Sequence, residues 1–387
     1  MRKVKISEFA DVITGGTPST TVPEYWDGGT IPWLQSGVCQ NCIVTECNTF
    51  ITQAGLDNSA AKMMKPDSVL IALTGATTGK VGYLTFDACA NQSVTGIQPN
   101  DKFVPKYLYY YLLGIRQKIL DDSYGGAQKH ISQGYVKNLK IPLGTICEQR
   151  EMAERFEHVD RIISLRQQEI KRLDDLIKAR FVEMFGDPVV NDRGWQKITL
   201  FESLEAGRTV TYGIVQTGDE FENGTPVFRP IDIAGGHVPK REELKKTDPL
   251  ISAQYKRTLL KGNELLITVR GSVGETFQTT DEFKGCNVGR NIVPLVTDSN
   301  KVLQRFLQEL FAQDAIKNWL KGITKGIALQ GLNMGEFKEM PVIVPPIAMQ
   351  RAFVVFAMQV DKSKVAVQKA LDEARLLFDS LMHQYFG

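Results

Sequence analysis

An internal repeat constrains the fold of this chain more than any other feature of its sequence. Residues 139–150 (LKIPLGTICEQR) match residues 340–351 (MPVIVPPIAMQR), 201 positions further on. The same separation carries residues 181–186 (FVEMFG) onto residues 382–387 (MHQYFG) without a gap. A duplication of this kind predicts two copies of one folded unit in a pseudo-two-fold molecule.

Upstream of this element the separation between the copies shortens, as expected when surface loops differ in length. Residues 65–75 match residues 261–271 at a separation of 196, and residues 4–9 resemble residues 196–201 at 192. The 387 residues suffice for two domains with full cores. We therefore predict a globular domain over 1–145, a long helix over 146–186, a second globular domain over 187–345 and a second long helix over 346–387.

Both tails carry the heptad pattern of a coiled coil. The apolar seams are Phe156, Val159, Ile163, Ile170, Leu173 and Ile177 in the first tail, and Ala357, Val360, Val367, Leu371, Ala374 and Phe378 in the second. The first helix, from Glu148 to Phe185, would be ~57 Å long at 1.5 Å per residue. Because exposed seams of this length would aggregate, we expect the two helices to pack against each other, antiparallel. The alternative is that each helix packs on its own globular domain.

The globular parts have the patterns of mixed α/β domains. Short apolar runs at 68–74 and 264–269 predict strands between turn residues. Residues 103–120 and 302–320 predict helices, and residues 186–194 a linker between the copies. The predicted fold class is thus α/β (α+β), duplicated, with two long antiparallel helices.

Motifs of a self-contained enzyme are missing. Residues 75–80 (GATTGK) resemble a phosphate loop, but three residues separate the glycines instead of four, and valine follows the lysine. The sequence has no HExxH, no GxSxG and no glycine-rich methyl-donor loop. Cys39 and Cys42 have the spacing of a zinc knuckle, with Cys47 and Cys89 as further candidate ligands. A second pair at matching spacing is absent, so buried free thiols are the alternative.

A binding module fits these patterns better than an enzyme does. The net charge of +2 neither proposes nor excludes DNA, so basic residues would have to be concentrated on one face. Cationic and amide side chains on turns can bond to base edges and phosphates; the alternative for any one of them is an ordinary polar residue of the protein surface. The candidate DNA-binding residues are Lys80, Asn91, Gln92, Gln128 and Lys129 in the first half, and Arg208, Arg229, Arg270, Arg290, Asn291 and Lys325 in the second.

The sequence resembles the specificity subunits of Type I restriction–modification systems over essentially its whole length. The resemblance lies in the paired elements 139–150 and 340–351 and in the long helix after each of them. It also lies in the link at 185–188 (FGDP) with Gly194 and Trp195, and in the opening residues 15–19 (GGTPS) and 31–33 (IPW). One departure is Gln330 where the first copy has Lys129, so a phosphate contact by Lys129 would not be duplicated.

The resemblance implies two target-recognition domains, each reading one half of a split double-stranded DNA sequence, with helices that set the spacer and dock other subunits. It implies that this chain is not catalytic and binds no cofactor itself; from the cysteine spacing we also predict no metal site. Its partners would be two methyltransferase subunits that use S-adenosylmethionine, and ATP- and Mg-dependent restriction and translocation subunits. The runner-up hypothesis is a non-catalytic coiled-coil scaffold that binds proteins instead of DNA.

No apolar run approaches the roughly 18 residues of a membrane span, and the N-terminal residues lack the pattern of a signal peptide. We therefore expect a cytoplasmic protein without a membrane partner.

Overall fold

The computed structural model describes residues 2–126, 129–236, 239–325 and 331–386. The chain forms two compact units: unit 1 comprises Met1–Gln167 and Lys369–Gly387, and unit 2 comprises Gln168–Gln368. Each unit contains one globular part together with one end of each long helix.

Unit 1 begins with short strands and helices that lead into the first long helix. In chain order these are β1 (Arg2–Lys5), α1 (Ile6–Phe9), β2 (Val12–Thr14), β3 (Ile31–Leu34), β4 (Cys42–Val44), β5 (Phe50–Ile51), α2 (Gln53–Asp57), β6 (Val69–Ala72), β7 (Val81–Leu84), β8 (Cys89–Ala90), β9 (Val94–Ile97), α3 (Pro105–Gly114), α4 (Arg116–Asp121), α5 (Gln133–Asn138), β10 (Lys140–Leu143) and α6 (Ile146–Phe185).

A five-stranded sheet of order β2-β9-β6-β7-β4 forms the centre of unit 1. Its central strand β6 is antiparallel to both neighbours, with Val69 opposite Ile97 on β9 and opposite Tyr83 on β7. All four residues of β6 are buried, as the apolar run at 68–74 predicts. A second sheet, β5-β3-β8, and the antiparallel pair β1-β10 complete this unit.

Unit 2 repeats this plan with shorter sheets. Its elements, with the second long helix last, are β11 (Gln196–Thr199), β12 (Thr225–Phe228), α7 (Pro230–Ile233), β13 (Lys245–Thr247), α8 (Pro249–Ala253), β14 (Leu265–Thr268), β15 (Thr276–Gln278), β16 (Asn287–Val288), β17 (Ile292–Leu295), α9 (Gln304–Ala312), α10 (Asp314–Gly322), β18 (Thr324–Lys325), β19 (Gly331–Leu332), α11 (Met334–Lys338), β20 (Pro341–Val344) and α12 (Ile347–Phe386).

The sheets of unit 2 correspond to those of unit 1. The central strand β14 lies between β15 and β17, as β6 lies between β7 and β9. The parallel pair β12-β16 corresponds to β3-β8, and β11-β20 corresponds to β1-β10. The duplication predicted from the sequence is therefore present in the strand pairing, and the α/β fold class is confirmed.

The long helices α6 and α12 have 40 residues each, and α6 begins two residues before Glu148, the start taken from the heptad pattern. Every predicted seam position is buried or half-buried, while Ile162, Leu165 and Val365 on other faces are exposed. In unit 1, Phe156 of α6 packs on Phe378 and Phe386 of α12. A heptad seam on a helix without internal proline or glycine thus identifies the buried face correctly.

In unit 2 the same two helices run antiparallel. Asp174 of α6 pairs with Lys364 of α12 at 2.5 Å, and the later Phe181 of α6 packs on the earlier Phe353 of α12. Phe306 of α9 stacks on Phe181, so the helix pair shares one core with the globular part. Both alternatives from the sequence therefore hold: the helices pack on each other and on the globular parts.

The repeated glutamines in the element 139–150 and its partner connect each long helix to its globular part. Gln149 is buried; its Oε1 accepts from the Val104 backbone at 2.9 Å and its Nε2 donates to the Gly144 carbonyl at 3.0 Å. Gln350 repeats this, accepting from Leu303 at 2.9 Å and donating to Pro345 at 2.8 Å. These bonds explain why the sequence repeats glutamine at this position.

The predicted helices at 103–120 and 302–320 are each divided in two. The first is interrupted at Ile115, after Gly114, whose missing side chain leaves room for Phe386 of α12. The second is interrupted at Gln313, which has extended backbone angles and whose side chain caps the preceding helix by donating to the Glu309 carbonyl at 3.0 Å. Apolar periodicity continued through both breaks, so the sequence did not reveal them.

Within the described residues, no helix is both long and apolar enough to cross a membrane.

Candidate nucleic-acid interface

Three loops of unit 1 meet where the central strand β6 ends. Leu73, the first residue after β6, donates its backbone N–H to the Ser93 carbonyl at 2.8 Å and accepts from Ile131 at 2.9 Å. These bonds bring together residues 73–80, 91–93 and 129–131. We call this group of loops the loop edge of unit 1.

The candidate residues Lys129 and Asn91 help to build this edge. The Lys129 carbonyl accepts from the Gly75 backbone at 3.1 Å and from the Thr78 hydroxyl at 2.7 Å, and its ammonium group donates to the Leu120 carbonyl at 3.1 Å. The Asn91 side chain accepts from the Ser93 backbone at 3.0 Å, which closes a tight turn. Both residues therefore hold the loops in place, and the Lys129 side chain remains exposed.

Gln92 and Lys80 present polar groups at the same edge. Gln92 is exposed, and its Oε1 accepts from the Thr17 hydroxyl at 2.5 Å. Lys80 is half-buried and donates to Gln40 at 2.6 Å. The remaining candidate of this half, Gln128, lies outside the described residues.

Unit 2 has the same arrangement at the end of its central strand β14. Val269, the counterpart of Leu73, donates to the Asn291 carbonyl at 2.8 Å and accepts from Leu332 at 2.9 Å. Arg270 forms a β-bridge with Gly331, and Lys325 pairs with the same glycine through its backbone. The loop edge of unit 2 therefore comprises residues 269–271, 289–291, 324–325 and 331–332.

Three side chains at this second edge have polar groups without a partner among the described residues. Arg270 and Arg290 are exposed, and among the described residues their guanidinium groups make no hydrogen bond or ion pair. The Asn291 Oδ1 is buried without a hydrogen-bond partner in the described part of the chain. Unsatisfied buried acceptors are uncommon in proteins, so this atom is a polar group that the described contacts do not explain.

Two candidates lie away from the loop edge of unit 2. Arg208 donates to Glu205 at 3.1 Å and lies 3.8 Å from the buried Glu264. Glu264 precedes β14, whereas Arg270 of the loop edge follows that strand, so Arg208 lies at the other end of β14. Arg229 lies at the start of α7, and its Nη2 and Nε donate to the Asp232 carboxylate at 2.9 and 3.2 Å. This pairing raises the pKa of Arg229. The candidates of the second half therefore do not form a single site, because Arg208 and Arg229 lie apart from the loop edge of unit 2.

The cysteines at 39 and 42 differ in burial: Cys39 is buried, whereas Cys42 is exposed. Burial, reinforced by Cys42, raises the pKa of the Cys39 thiol to about 12. Cys42, Cys47 and Cys89 each donate to a carbonyl, namely those of Val38, Thr49 and Pro32. In the described ranges, no group of three or more His, Cys, Asp and Glu side chains is placed to hold a metal ion.

The sequence reasoning overlooked an aromatic group at the loop edge of unit 1. Tyr124 is 60% exposed and contacts the ring of His130 edge to face, with ring centroids 5.0 Å apart. Its backbone pairs with His130, which in turn pairs with Thr74. The signal available in the sequence was the glycine pair that follows Tyr124, typical of a turn that presents its neighbours.

Comparison with known proteins identifies the repeated unit. A family model described as the Type I restriction modification DNA specificity domain matches residues 1–175 and again residues 194–374. The Type I restriction enzyme EcoBI specificity subunit of Escherichia coli is 23% identical over 350 residues, covering 83% of this chain and 73% of that protein. The MjaIX specificity subunit of Methanocaldococcus jannaschii is 23% identical over 407 residues, covering 98% and 90%.

A solved structure shares the fold over nearly the full chain. The S subunit of a Type I restriction-modification system from M. genitalium superposes with a TM-score of 0.52 at 18% identity, covering 98% of this chain and 94% of that one. The duplicated family match covers most of the sequence and coincides with the duplicated strand pairing. The chain therefore belongs to the family of Type I restriction modification DNA specificity domains, carries that domain twice, and is a DNA sequence-recognition subunit of a Type I restriction–modification system.

Proposed function

We propose that the two loop edges each read one half of a bipartite double-stranded DNA target. One observation carries this proposal: the same backbone arrangement, centred on Leu73 in unit 1 and Val269 in unit 2, presents different side chains in the two copies. Base edges are read by side chains, whereas the backbone fixes where those side chains stand. A backbone arrangement that is the same in both units but carries different polar side chains suits two recognition sites for two different half-sites.

In unit 2 the readers would be Arg270, Arg290 and Asn291. Arginine bonds to guanine and asparagine to adenine through paired hydrogen bonds in the major groove. The two guanidinium groups are exposed and unengaged among the described residues, and the asparagine has a spare acceptor. In unit 1 the corresponding groups would be Gln92 and Lys129, with Lys80 and Asn91 at the same loop edge, and Gln128 stays a candidate from the sequence.

The long helices would set the spacer between the half-sites and dock two methyltransferase subunits. On the part of α12 that belongs to unit 2, Met358 and Val365 are exposed and spaced by seven residues, which places them on one helix face. Met358 is 54% and Val365 is 71% exposed. Apolar side chains in a row on a charged helix are typical of a surface that another protein covers.

Catalysis would belong to the partners. The proposal assigns methylation with S-adenosylmethionine, and ATP- and Mg-dependent cleavage and translocation, to other subunits, with no cofactor bound by this chain. The relatives are named as specificity subunits of Type I restriction enzymes, which supports this division of labour. We place the complex in the cytoplasm, where chromosomal DNA would be its substrate.

The test is methylation mapping of host DNA with the intact gene, with the gene deleted, and with a chain carrying Arg270→Ala and Arg290→Ala. We expect a split methylated motif that disappears on deletion and that degenerates in only one half in the variant. The matched control is Lys240→Ala with Lys338→Ala, which removes two cations from unit 2 outside the loop edge. A methylome unchanged by deletion, with the partner subunits expressed, would instead support the protein-binding scaffold.

A further inference from the structure

Each unit has a basic cavity away from its loop edge. In unit 2 a cavity of about 460 Å³ is lined by residues 205–209, by cations between Lys256 and Lys261, and by Glu264 and Pro294. In unit 1 a cavity of about 610 Å³ is lined by residues 10–13, by Lys62 and Lys65, and by Gln98, Pro99 and Lys137. We call these the basic cavities.

The two basic cavities occupy corresponding places in the fold. Lys65 and Lys261 each precede the central strand of their unit by four residues. One wall of each cavity is a segment that forms a backbone hydrogen bond with the residue directly after a neighbouring strand of the sheet. That strand is β9 in unit 1 and β17 in unit 2, and each lies beside the central strand of its unit. In unit 1 the Asp11 carbonyl accepts from Gln98 at 2.9 Å, and in unit 2 Glu205 donates to Val296 at 2.9 Å.

The lining of both cavities is predominantly cationic. In unit 2, Arg208, Lys256, Arg257 and Lys261 stand against Glu205 and Glu264. The buried Glu264 carboxylate already accepts from the backbone N–H groups of residues 261–263 at 2.9 to 3.1 Å. In unit 1, three lysines stand against Asp11 alone. Each cavity thus holds an excess of two positive charges in a chain whose net charge is only +2.

Apart from Arg208, which pairs with Glu205 and Glu264, the cations of the two cavities have no partner among the described residues. Within the described ranges, none of the side chains of Lys62, Lys65, Lys137, Lys256, Arg257 and Lys261 takes part in a hydrogen bond or an ion pair. The Gln98 amide nitrogen is also buried without a partner among the described residues. Clustered, unpaired positive charges in a concave site are the arrangement that recognises an anion.

We propose that each basic cavity binds a phosphate of the DNA backbone and supplies a sequence-independent grip for its recognition domain. Phosphate contacts fix register but carry no sequence information, so both copies can use the same site even though their base-reading side chains differ. Cavities of this size hold small-molecule ligands, so a phosphodiester group fits. This inference rests on the proposed function, since it assumes that the domains bind duplex DNA.

The position along the central strand suits such a grip. In unit 2, Glu264 borders the cavity and Arg270 belongs to the loop edge, so the two sites lie at opposite ends of β14. Six residue steps of strand span ~20 Å at about 3.3 Å each. Binding of one duplex at both sites would engage base edges at one end of the strand and backbone phosphates several base pairs away.

The test measures DNA affinity against salt concentration for the full chain assembled with its partner subunits. The probes are a duplex carrying the motif found by methylation mapping and a duplex of random sequence. For Lys256→Gln with Lys261→Gln, we expect weaker binding to both duplexes by the same factor. The plot of log affinity against log salt should be shallower by about 0.9 for each phosphate that the variant no longer neutralises. The matched control, Lys240→Gln with Lys338→Gln, removes the same charge elsewhere in unit 2.

The outcomes separate this inference from the proposed function. If the wild-type complex does not distinguish the two duplexes, the proposed function fails. If it does distinguish them and the cavity variant keeps the wild-type salt slope, the basic cavity does not bind DNA phosphate. Loss of binding to the motif duplex alone would make the cavity a base-reading site. Loss of subunit assembly with unchanged affinity in the complexes that form would assign it to an acidic protein surface. Lys62→Gln with Lys65→Gln tests the cavity of unit 1 in the same way.

Discussion

Gln350 shows how a single polar side chain fixes the start of a long helix. It is fully buried, and its amide makes three hydrogen bonds: one accepted from Leu303, and two donated to the carbonyls of Lys301 and Pro345. These backbone groups lie in two segments, at residues 301–303 and at Pro345, and the amide bonds to both. Without it, the buried Pro345 carbonyl and the partly buried Leu303 N–H would lose their partner, and leaving a buried polar group unpaired costs more than the hydrogen bonds themselves contribute.

We expect Gln350→Met, which keeps the length of the side chain, to lower the free energy of unfolding by about 2 to 4 kcal/mol. The neighbouring Arg351→Met is the matched control, because Arg351 is exposed and its replacement should change stability by less than about 0.5 kcal/mol. Urea unfolding of both variants measures the difference. Equal stability of the two variants would show that the buried amide is dispensable.

Glu309 is a buried carboxyl whose ionisation opposes folding. Burial is the largest influence and raises the pKa of Glu309. Arg305, at 2.7 Å, lowers this pKa, whereas Asp361, which pairs with the same arginine, raises it. Lys364 and Asp174 have smaller effects, the lysine lowering the pKa and the aspartate raising it. A folded-state pKa above the unfolded value means that the folded chain holds more protons. The contribution of Glu309 to stability is therefore greatest at low pH and is lost as pH rises through the folded-state pKa.

The corresponding prediction concerns Glu309→Gln, which cannot ionise. We expect the stability of the wild type relative to this variant to decline as pH rises above the ordinary glutamate value of 4.5. Unfolding by denaturant at a series of pH values measures this difference and cancels the contributions of the other carboxyls. If the wild type instead gained stability relative to the variant as pH rises, the ion pair with Arg305 would outweigh the cost of burial.

At the scale of the elements, each end of the helix pair is stabilised by aromatic packing within its own unit. In unit 1, Phe156 is fully buried and stacks on Tyr110 at 5.1 Å, with Phe378 at 5.5 Å and Phe386 at 5.4 Å. The ring contacts come from α3, α6 and α12, so one side chain joins three helices. Buried aromatic groups contribute strongly to stability because they remove a large apolar area from water.

Phe156→Ala should therefore lower the free energy of unfolding by about 3 to 5 kcal/mol. Leu165→Ala on the same helix is the matched control, since Leu165 is 53% exposed and its loss should cost less than about 0.5 kcal/mol. Thermal and urea unfolding compare the two. If Leu165→Ala proved as harmful as Phe156→Ala, the buried face of α6 would be wrongly assigned.

The outer face of α12 leads to a prediction about binding instead of stability. Because Met358 and Val365 are exposed, Met358→Lys with Val365→Lys should leave unfolding unchanged while weakening assembly with the methyltransferase subunits at least tenfold, or by about 1.4 kcal/mol. Copurification at a series of subunit concentrations measures the assembly. Lys362→Glu with Lys369→Glu, at neighbouring positions, tests whether charge alone accounts for any loss. Unchanged assembly in the apolar variant would exclude this face as the docking surface.

At the scale of the whole molecule, periodicity and repetition predicted the architecture, but side-chain contacts decided which candidates share a site. The heptads located α6 and α12 to within two residues, and the repeat predicted the duplicated strands. Arg270 and Asn291 come together because β14 and β17 are antiparallel neighbours, a pairing that no local pattern specifies. Arg208 and Arg229 each have an acidic residue three positions away, Glu205 and Asp232, which is a local signal in the sequence that the selection of candidates did not use.

We expect the length of the two long helices to set the DNA spacer between the half-sites. The boundary between the units falls after residue 167 in α6 and after residue 368 in α12, positions 201 residues apart like the repeat itself. Deleting residues 164–170 and 365–371 removes one heptad from corresponding places, so the seam keeps its phase. Each helix becomes shorter by ~10 Å, the length of about three base pairs.

Methylation mapping of a strain that carries this deletion should then show both half-sites unchanged and a spacer shortened by about three base pairs. The control removes the same number of residues from α6 alone, which breaks the match between the helices and should abolish modification. A shortened chain that assembles and methylates the original motif with its original spacer would show that the helices do not set the distance between the half-sites.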